Sequence, residues 1–203
     1  MKILALDQSL TATGIAVITF ADFRETRFTD TWAPPKALRG GERLAWINGK
    51  LKAEITNGVD LLAVEDTPMH MVGAAKNGLA ELLGVLKCTA FERGVRLLVI
   101  NAMHVKMFAA GDAHADKDRV TRAAMKAWPG VIAEDTNGVD NEADALWLAE
   151  IARHMEHGLE GDTEKRRQVL AKMRGEPPAK KKPTRKPPKI EIEVTAKEPS
   201  CPT

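Results

Sequence analysis

Three apolar runs open the chain in quick succession, at residues 2–7, 13–20 and 23–32, rich in Ile, Val, Phe and Thr and separated by short polar turns such as Ala21-Asp22. Runs of this length and composition predict three strands joined as a meander. The period then changes. Residues 40–57 place Leu44, Ile47, Leu51 and Ile55 at the three- and four-residue intervals of one helix face, and Gly58 stops the helix. Leu61-Leu62-Ala63-Val64 is apolar at every position and too short for a helix, which predicts a strand covered on both faces. A helix over 73–93 leads to a strand over 95–100. Asn101 caps a helix over 102–110, Asp116 caps one over 117–128, and the last helix runs over about 141–157. Sequential strands followed by strands alternating with helices predict an α/β domain on a mixed sheet.

Composition adds limits to that picture. With 203 residues, 44% of them hydrophobic, the chain holds one core of ordinary domain size and some extra length. No apolar stretch reaches the roughly 18 residues of a membrane span, and no basic segment leads into a signal-type apolar region. A soluble cytoplasmic protein without a membrane partner is the expectation. Cys88 and Cys201 form neither a disulfide framework nor a zinc spacing, which fits a reducing compartment. The net charge of +2 hides an asymmetry: residues 161–203 carry 12 Lys+Arg against 6 Asp+Glu, and residues 1–160 carry 18 against 22. Within the basic end, EPPAKKKPTRKPPK has no apolar periodicity and cannot offset the entropy of ordering. We therefore expect a folded domain over 1–158 and a basic, Pro/Lys-rich tail over 159–203, mostly disordered, with a frayed helix at its start. Such a tail suits salt-dependent phosphate contact; a solubilising role accounts for it equally well.

Candidate chemistry lies at the ends of the predicted elements. LALDQSLTATGIAVI delivers Asp7 to the end of the first strand, LLAVED delivers Glu65 to the end of the fourth, and DNEADALWLAEI sets Asp144 near the start of the last helix. In open α/β sheets, sites form outside the carboxyl ends of strands. Asp144 shares a helix face with Trp147, Leu148, Ile151 and Met155, so it faces inward. An inward carboxylate needs a cation or a hydrogen-bonding partner, and neighbouring acids worsen the repulsion unless a metal binds. Oxygen donors without a His or Cys cluster point to magnesium, or manganese, rather than zinc.

These segments, with VKMFAAGDAHADKDRV and the final ADALWLAE, resemble in order and interval the RuvC Holliday junction resolvases of the RNase H-like superfamily, over about residues 1–157. The resemblance implies an RNase H-like five-stranded mixed sheet flanked by helices. It also implies a structure-selective endodeoxyribonuclease that resolves branched DNA by paired nicks with two Mg²⁺ ions per site, Mn²⁺ being an alternative. Asp7, Glu65 and Asp144 are carried over as metal ligands and catalytic residues. The family's fourth ligand lies three residues before the last Asp, where this chain has Asn141. Asp140, four residues before Asp144, reaches the same face and is the preferred fourth ligand, with Asn141 as the alternative and simple helix capping as the plainer account. Glu142 points elsewhere.

Lys106 and Lys117 match the family's basic positions and imply phosphate contact. Arg119, with Arg122 and Lys126, extends a basic face along that helix, although a solvated face explains it as well. Gln8-Ser9 stands where the family usually has Pro-Gly, which suggests a divergent, phage-type member acting in bacterial or phage-infected host cytoplasm. Met69 or Met71 offers an apolar wedge in place of the family's aromatic, with loop packing the plainer role. His70, His104, His114, His154 and His157 lack ligand grouping, and most are expected to be exposed. The helix over 73–93, with Gly73, Gly78 and Gly84, offers one face to the sheet and another to a two-fold partner. Two rivals stand beside this reading. An actin/Hsp70-like ATPase half needs a second lobe and a Gly-rich adenosine segment that the chain lacks, and a noncatalytic RNase H-like nucleic-acid-binding protein accommodates Gln8 and Asn141.

Overall fold

A computed structural model describes residues 1–21, 24–67, 73–133 and 138–177. The predicted meander forms: β1 (Lys2–Asp7), β2 (Thr13–Ala21) and β3 (Arg24–Trp32) pair antiparallel, with Asp7 opposite Gly14 at the first turn. After α1 (Gly40–Thr56), β4 (Leu61–Glu65) lies parallel to β1; after α2 (Ala74–Glu92), β5 (Arg96–Ile100) lies parallel to β4. The sheet order is β3-β2-β1-β4-β5. Four helices follow: α3 (Ala102–Ala110), α4 (Lys117–Ala127), α5 (Val139–Glu156) and α6 (Glu164–Met173). This is the expected five-stranded mixed sheet of an RNase H-like fold.

The continuous apolar runs of β1 and β4 are buried on both sides because each residue alternation feeds a different core. Ile3, Ala5, Ala16, Ile18 and Ala63 pack with α3, α4, α5 and α6, while Leu4, Leu6, Ile15, Leu62 and Val64 pack with α1 and α2. Ala5, Ala16 and Ala63 on the strands meet Ala145, Ala149 and Ala152 on α5, all fully buried. Small side chains on both surfaces let α5 lie close on the centre of the sheet, which brings its first turns to the ends of β1 and β4.

Three differences from the sequence expectations have physical causes. First, α5 begins at Val139, with Gly138 at φ 110° as its N-cap residue, so Asp140 sits in the first turn and does not cap. Second, residues 164–173, inside the stretch expected as tail, form α6. Val169 and Leu170 are buried, and the Arg166 guanidinium lies 4.9 Å from the Phe108 ring centroid and 5.0 Å from that of Trp147. Its Nε also donates to the Phe108 carbonyl at 2.9 Å. An arginine stacked on aromatics does part of the work that an apolar stripe would otherwise do, so the hydrophobic pattern of α6 is weak. The remaining tail expectation, from residue 178 onward, lies outside the described residues, as do Met69, His70, Met71 and Cys201. Third, His154 is buried, not exposed, because it joins a charged cluster on α5.

Candidate active site

The carboxyl ends of β1 and β4 lie side by side because the last paired residues of the two strands are Leu6 and Val64. The next residues are Asp7 and Glu65, whose side chains share a hydrogen bond. Asp144, one turn into α5, faces the pair: its charge acts on Asp7, and that of Glu65 acts on Asp144. Burial, followed by the charge of Glu65, pushes the Asp144 carboxyl up to about 7. Burial first, then the charge and hydrogen bond of Glu65, hold Asp7 well above the ordinary carboxylate range. The structure thus brings Asp7, Glu65 and Asp144 together, with Asp7 and Asp144 raised first by burial and then by neighbouring acids.

Positive charge stands at the rim. Lys117, at the start of α4, places its Nζ 2.7 Å from Asp140 Oδ2 in a pair with side chains 62% and 42% exposed. The exposure matters, since a solvated pair of this kind contributes only about 0–1 kcal/mol and opens readily. Lys117 also acts on Asp7 and Asp144, and Lys106 on α3 acts on Asp144. Both lysines singled out by sequence thus face the acids. Arg119 is drawn into the α3–α4 connection, donating to the Ala110 carbonyl at 2.9 Å and to Asp112 Oδ2 at 3.4 Å. Glu142 points away from the acids, accepting from Thr29 and Thr31 on β3 at 2.7 and 3.1 Å.

Asn141 has a mechanical task. Its Nδ2 donates to the Ala12 carbonyl at 2.9 Å, tying α5 to the β1–β2 turn. Gly14 lies directly beneath it; a Cβ there would stand 2.1 Å from the Asn141 carbonyl oxygen, so only glycine permits the approach. The turn is organised by its own hydroxyls: Thr13 Oγ1 donates to the Ser9 carbonyl at 2.6 Å, and the Ala12 amide donates to Ser9 Oγ at 3.2 Å. Sequence reasoning treated Gln8-Ser9 as a departure and missed this role. The signal available was the density of hydroxyl side chains between two apolar runs.

The donor set suits a hard divalent cation, since every candidate ligand is a carboxylate or amide oxygen and the two carboxyls raised by burial and by neighbouring acids would be relieved by a cation. As the side chains stand, no group of three His, Cys, Asp or Glu among the described residues is drawn into ligand geometry. A cleft of about 360 Å³ opens elsewhere, between α3 and α6, and none of the acids lines it. The acids themselves are half-buried at the carboxyl ends of two interior strands of the sheet. Among the described residues, no helix is long and apolar enough to cross a membrane.

Comparison with known proteins places this geometry. No protein-family model matches the chain. Over 148 residues it is 29% identical to the crossover junction endodeoxyribonuclease RuvC of Paramagnetospirillum magneticum, covering 72% of this chain and 89% of the relative. Over 155 residues it is 28% identical to the RuvC of Synechococcus sp., covering 73% and 96%. The solved Thermus thermophilus RuvC superposes with a TM-score of 0.60 at 21% identity, over 78% of this chain and 98% of that one. The same protein in complex with a Holliday junction substrate gives 0.63, over 78% and 97%. The fowlpox virus Holliday junction resolvase gives 0.50 at 13% identity, over 77% and 99%.

Proposed function

We infer that this chain is a RuvC-type Holliday junction resolvase, a structure-selective endodeoxyribonuclease that acts on branched DNA and requires a divalent metal. The observation that carries the reading is the set of under-compensated carboxylates at the adjacent ends of β1 and β4 and on the facing turn of α5. Asp7, Glu65 and Asp144 hold the metal in this reading, with Asp140 as a fourth ligand once its exposed pair with Lys117 opens. Asn141 is the alternative fourth ligand, and it presents its amide oxygen while its nitrogen stays on Ala12. Two Mg²⁺ or Mn²⁺ ions held by these residues would supply activation of a water and charge stabilisation for in-line phosphodiester hydrolysis. Lys106 and Lys117 hold the scissile strand's phosphates against the acids, contacts that position DNA without reading its sequence. Arg119 supports them by fixing the loop between α3 and α4.

Paired nicks require two sites. The outward face of α2 carries Ala80, Gly84, Cys88 and Phe91, all exposed, at helical spacing, and Phe91 is 87% exposed. A two-fold pairing of these faces presents two acid clusters to opposite strands of a four-way junction.

The test uses synthetic four-way, forked and linear DNA with and without Mg²⁺. Wild-type protein is expected to nick the four-way junction in Mg²⁺, and Asp7→Asn to bind it normally. The variant's turnover is expected to fall by more than the roughly 100-fold typical of losing an outer-shell metal partner. Wild-type turnover by Asp7→Asn would overturn the active-site assignment, and selective binding without any metal-dependent nicking would favour a noncatalytic junction binder.

A further inference from the structure

Gln8 follows Asp7 directly at the end of β1 and reaches the backbone of Glu65, and its hydrogen bonding is half complete. The residue is 8% exposed. Its Nε2 donates to the backbone carbonyl of Glu65 at 2.9 Å and lies 3.4 Å from Thr67 Oγ1. These contacts extend the β1–β4 connection one step beyond its last paired residues, Leu6 and Val64. On its other side the same segment is tied to β5, where the Asp66 amide donates to the Ile100 carbonyl at 2.8 Å. Glu65 is therefore clamped from both flanks: Asp7 engages its carboxyl, and Gln8 engages its backbone.

The other half of the Gln8 amide has no partner: Oε1 is buried and accepts no hydrogen bond from the described protein groups. Exchanging the amide oxygen and nitrogen does not resolve this, because it would turn an acceptor against the Glu65 carbonyl. A buried unpaired acceptor is unfavourable, and an apolar side chain of the same size would avoid it. An acceptor held there needs a donor that arrives from outside the chain. Beside the residues that carry the Asp7 and Glu65 carboxyls, a water polarised by a divalent cation would be a strong donor of this kind.

We propose that Gln8 is a positioning residue for the metal site, its Nε2 fixing the end of β4 against β1 and its Oε1 accepting a hydrogen bond from a water on the cation bound by Asp7 and Glu65. The proposal rests on the metal-site reading above. It assigns to this chain an outer-shell contact that the acids alone do not supply, and it gives a function to the orphaned oxygen. Outer-shell partners of this kind orient the ligands they touch and change metal affinity without contributing a direct bond.

The test measures Mn²⁺ binding to the full-length protein without DNA, by titration calorimetry and by electron paramagnetic resonance of free Mn²⁺, alongside the melting-temperature shift that Mn²⁺ produces. Gln8→Leu is expected to weaken Mn²⁺ binding by about tenfold or more, within the roughly 10–100-fold range for outer-shell partners. Gln8→Met replaces Gln8→Leu should the latter not fold. A merely structural role predicts lower metal-free melting temperatures with unchanged Mn²⁺ affinity, and that result overturns the proposal. Asp7→Asn separates the two levels. If it loses Mn²⁺ while Gln8→Leu keeps it, the Gln8 role fails and the metal site stands; if Asp7→Asn binds Mn²⁺ as wild type does, the metal-site reading fails.

Discussion

The two ends of α5 each carry an inward carboxylate, and the fold treats them oppositely. Near the N-terminus, Asp144 faces other acids, and burial with the charge of Glu65 pushes it up to about 7. Toward the C-terminus, Glu150 is only 6% exposed, and burial alone would push it up as well. Three cationic or donor groups surround it: Arg27 at 2.9 Å, Arg153 at 2.6 Å and His154 at 3.2 Å. Hydrogen bonds from His154 and Arg153, with the charge of Arg27, outweigh burial and hold Glu150 below the ordinary carboxylate range. In the function proposed above, the contrast separates a structural acid from a functional one on a single helix. Glu150 is compensated by the arginines and the histidine around it, whereas burial and Glu65 raise Asp144 despite Lys117 and Lys106.

The largest effect expected from breaking this contrast is on stability. Glu150→Ala leaves Arg27 and Arg153, both largely buried, with only the more exposed Glu25 as a shared carboxylate. Denaturant unfolding should show a loss of about 3–5 kcal/mol, the scale for removing one side of a buried pair. The folded fraction should still nick junctions normally. A loss below about 1 kcal/mol, as for a surface pair, would erase the distinction.

Asp144→Asn should act with the opposite sign. The group's ordinary value is 3.8, and in the folded protein it lies near 7. Between those values the folded, metal-free state retains a proton that the unfolded chain releases, so wild-type stability falls as pH rises from about 4 to about 7. Asp7, raised in the same sense, adds to the fall. In EDTA at about pH 8, Asp144→Asn should therefore be more stable than wild type by up to on the order of 3 kcal/mol, and the gain should vanish near pH 4. Cleavage should be lost at every pH. Glu150 titrates the other way: its contribution is complete above its ordinary 4.5 and is lost as pH falls through the depressed folded value. Thermal melts from about pH 4 to 8, with and without Mg²⁺, check the Asp144 slope, and melts below about pH 4 check that of Glu150.

A smaller effect sharpens the N-terminal half of the comparison. Asn141→Ala removes the single hydrogen bond that holds α5 to the Ala12 carbonyl. It should cost about 1 kcal/mol and lower turnover more than junction affinity, because the acids lose registry while the lysines remain. Junction nicking kinetics and urea unfolding of the same preparation separate those outcomes. The smallest effect on the fold should come from deleting residues 178–203, whose sequence includes Lys180, Lys181, Lys182, Arg185, Lys186 and Lys189. Melting should be unchanged, and junction affinity should fall most at low salt with a shallower salt slope. An identical salt slope would show that these charges do not meet DNA.

Much of this was legible beforehand because it depends on local pattern. The two-fold alternation and continuous apolar runs predict β1 to β5, and the intervals between apolar residues predict α1 to α5 within a few residues. Asp7, Glu65 and Asp144 are visible as carboxylates delivered to element ends by apolar segments. The exposed Lys117–Asp140 pair was not visible, because residues 23 apart in sequence meet only when α4 and α5 pack. Nor was α6, whose docking depends on an arginine stacking against Phe108 and Trp147 and not on an apolar stripe.

The sequence by itself determined the order of elements, the inward face of α5 and the residue types available for metal chemistry, since these follow from periodicity and chemical identity along a contiguous stretch. Only the tertiary structure decided which buried carboxylate is neutralised and which is not. Glu150 and Asp144 both sit in the same helix with apolar neighbours, but the Arg27 that helps neutralise one lies 123 residues away and the Glu65 that repels the other lies on a different strand. Charge compensation depends on distances through space and on local solvent exclusion, and neither is fixed until the strands and helices have packed.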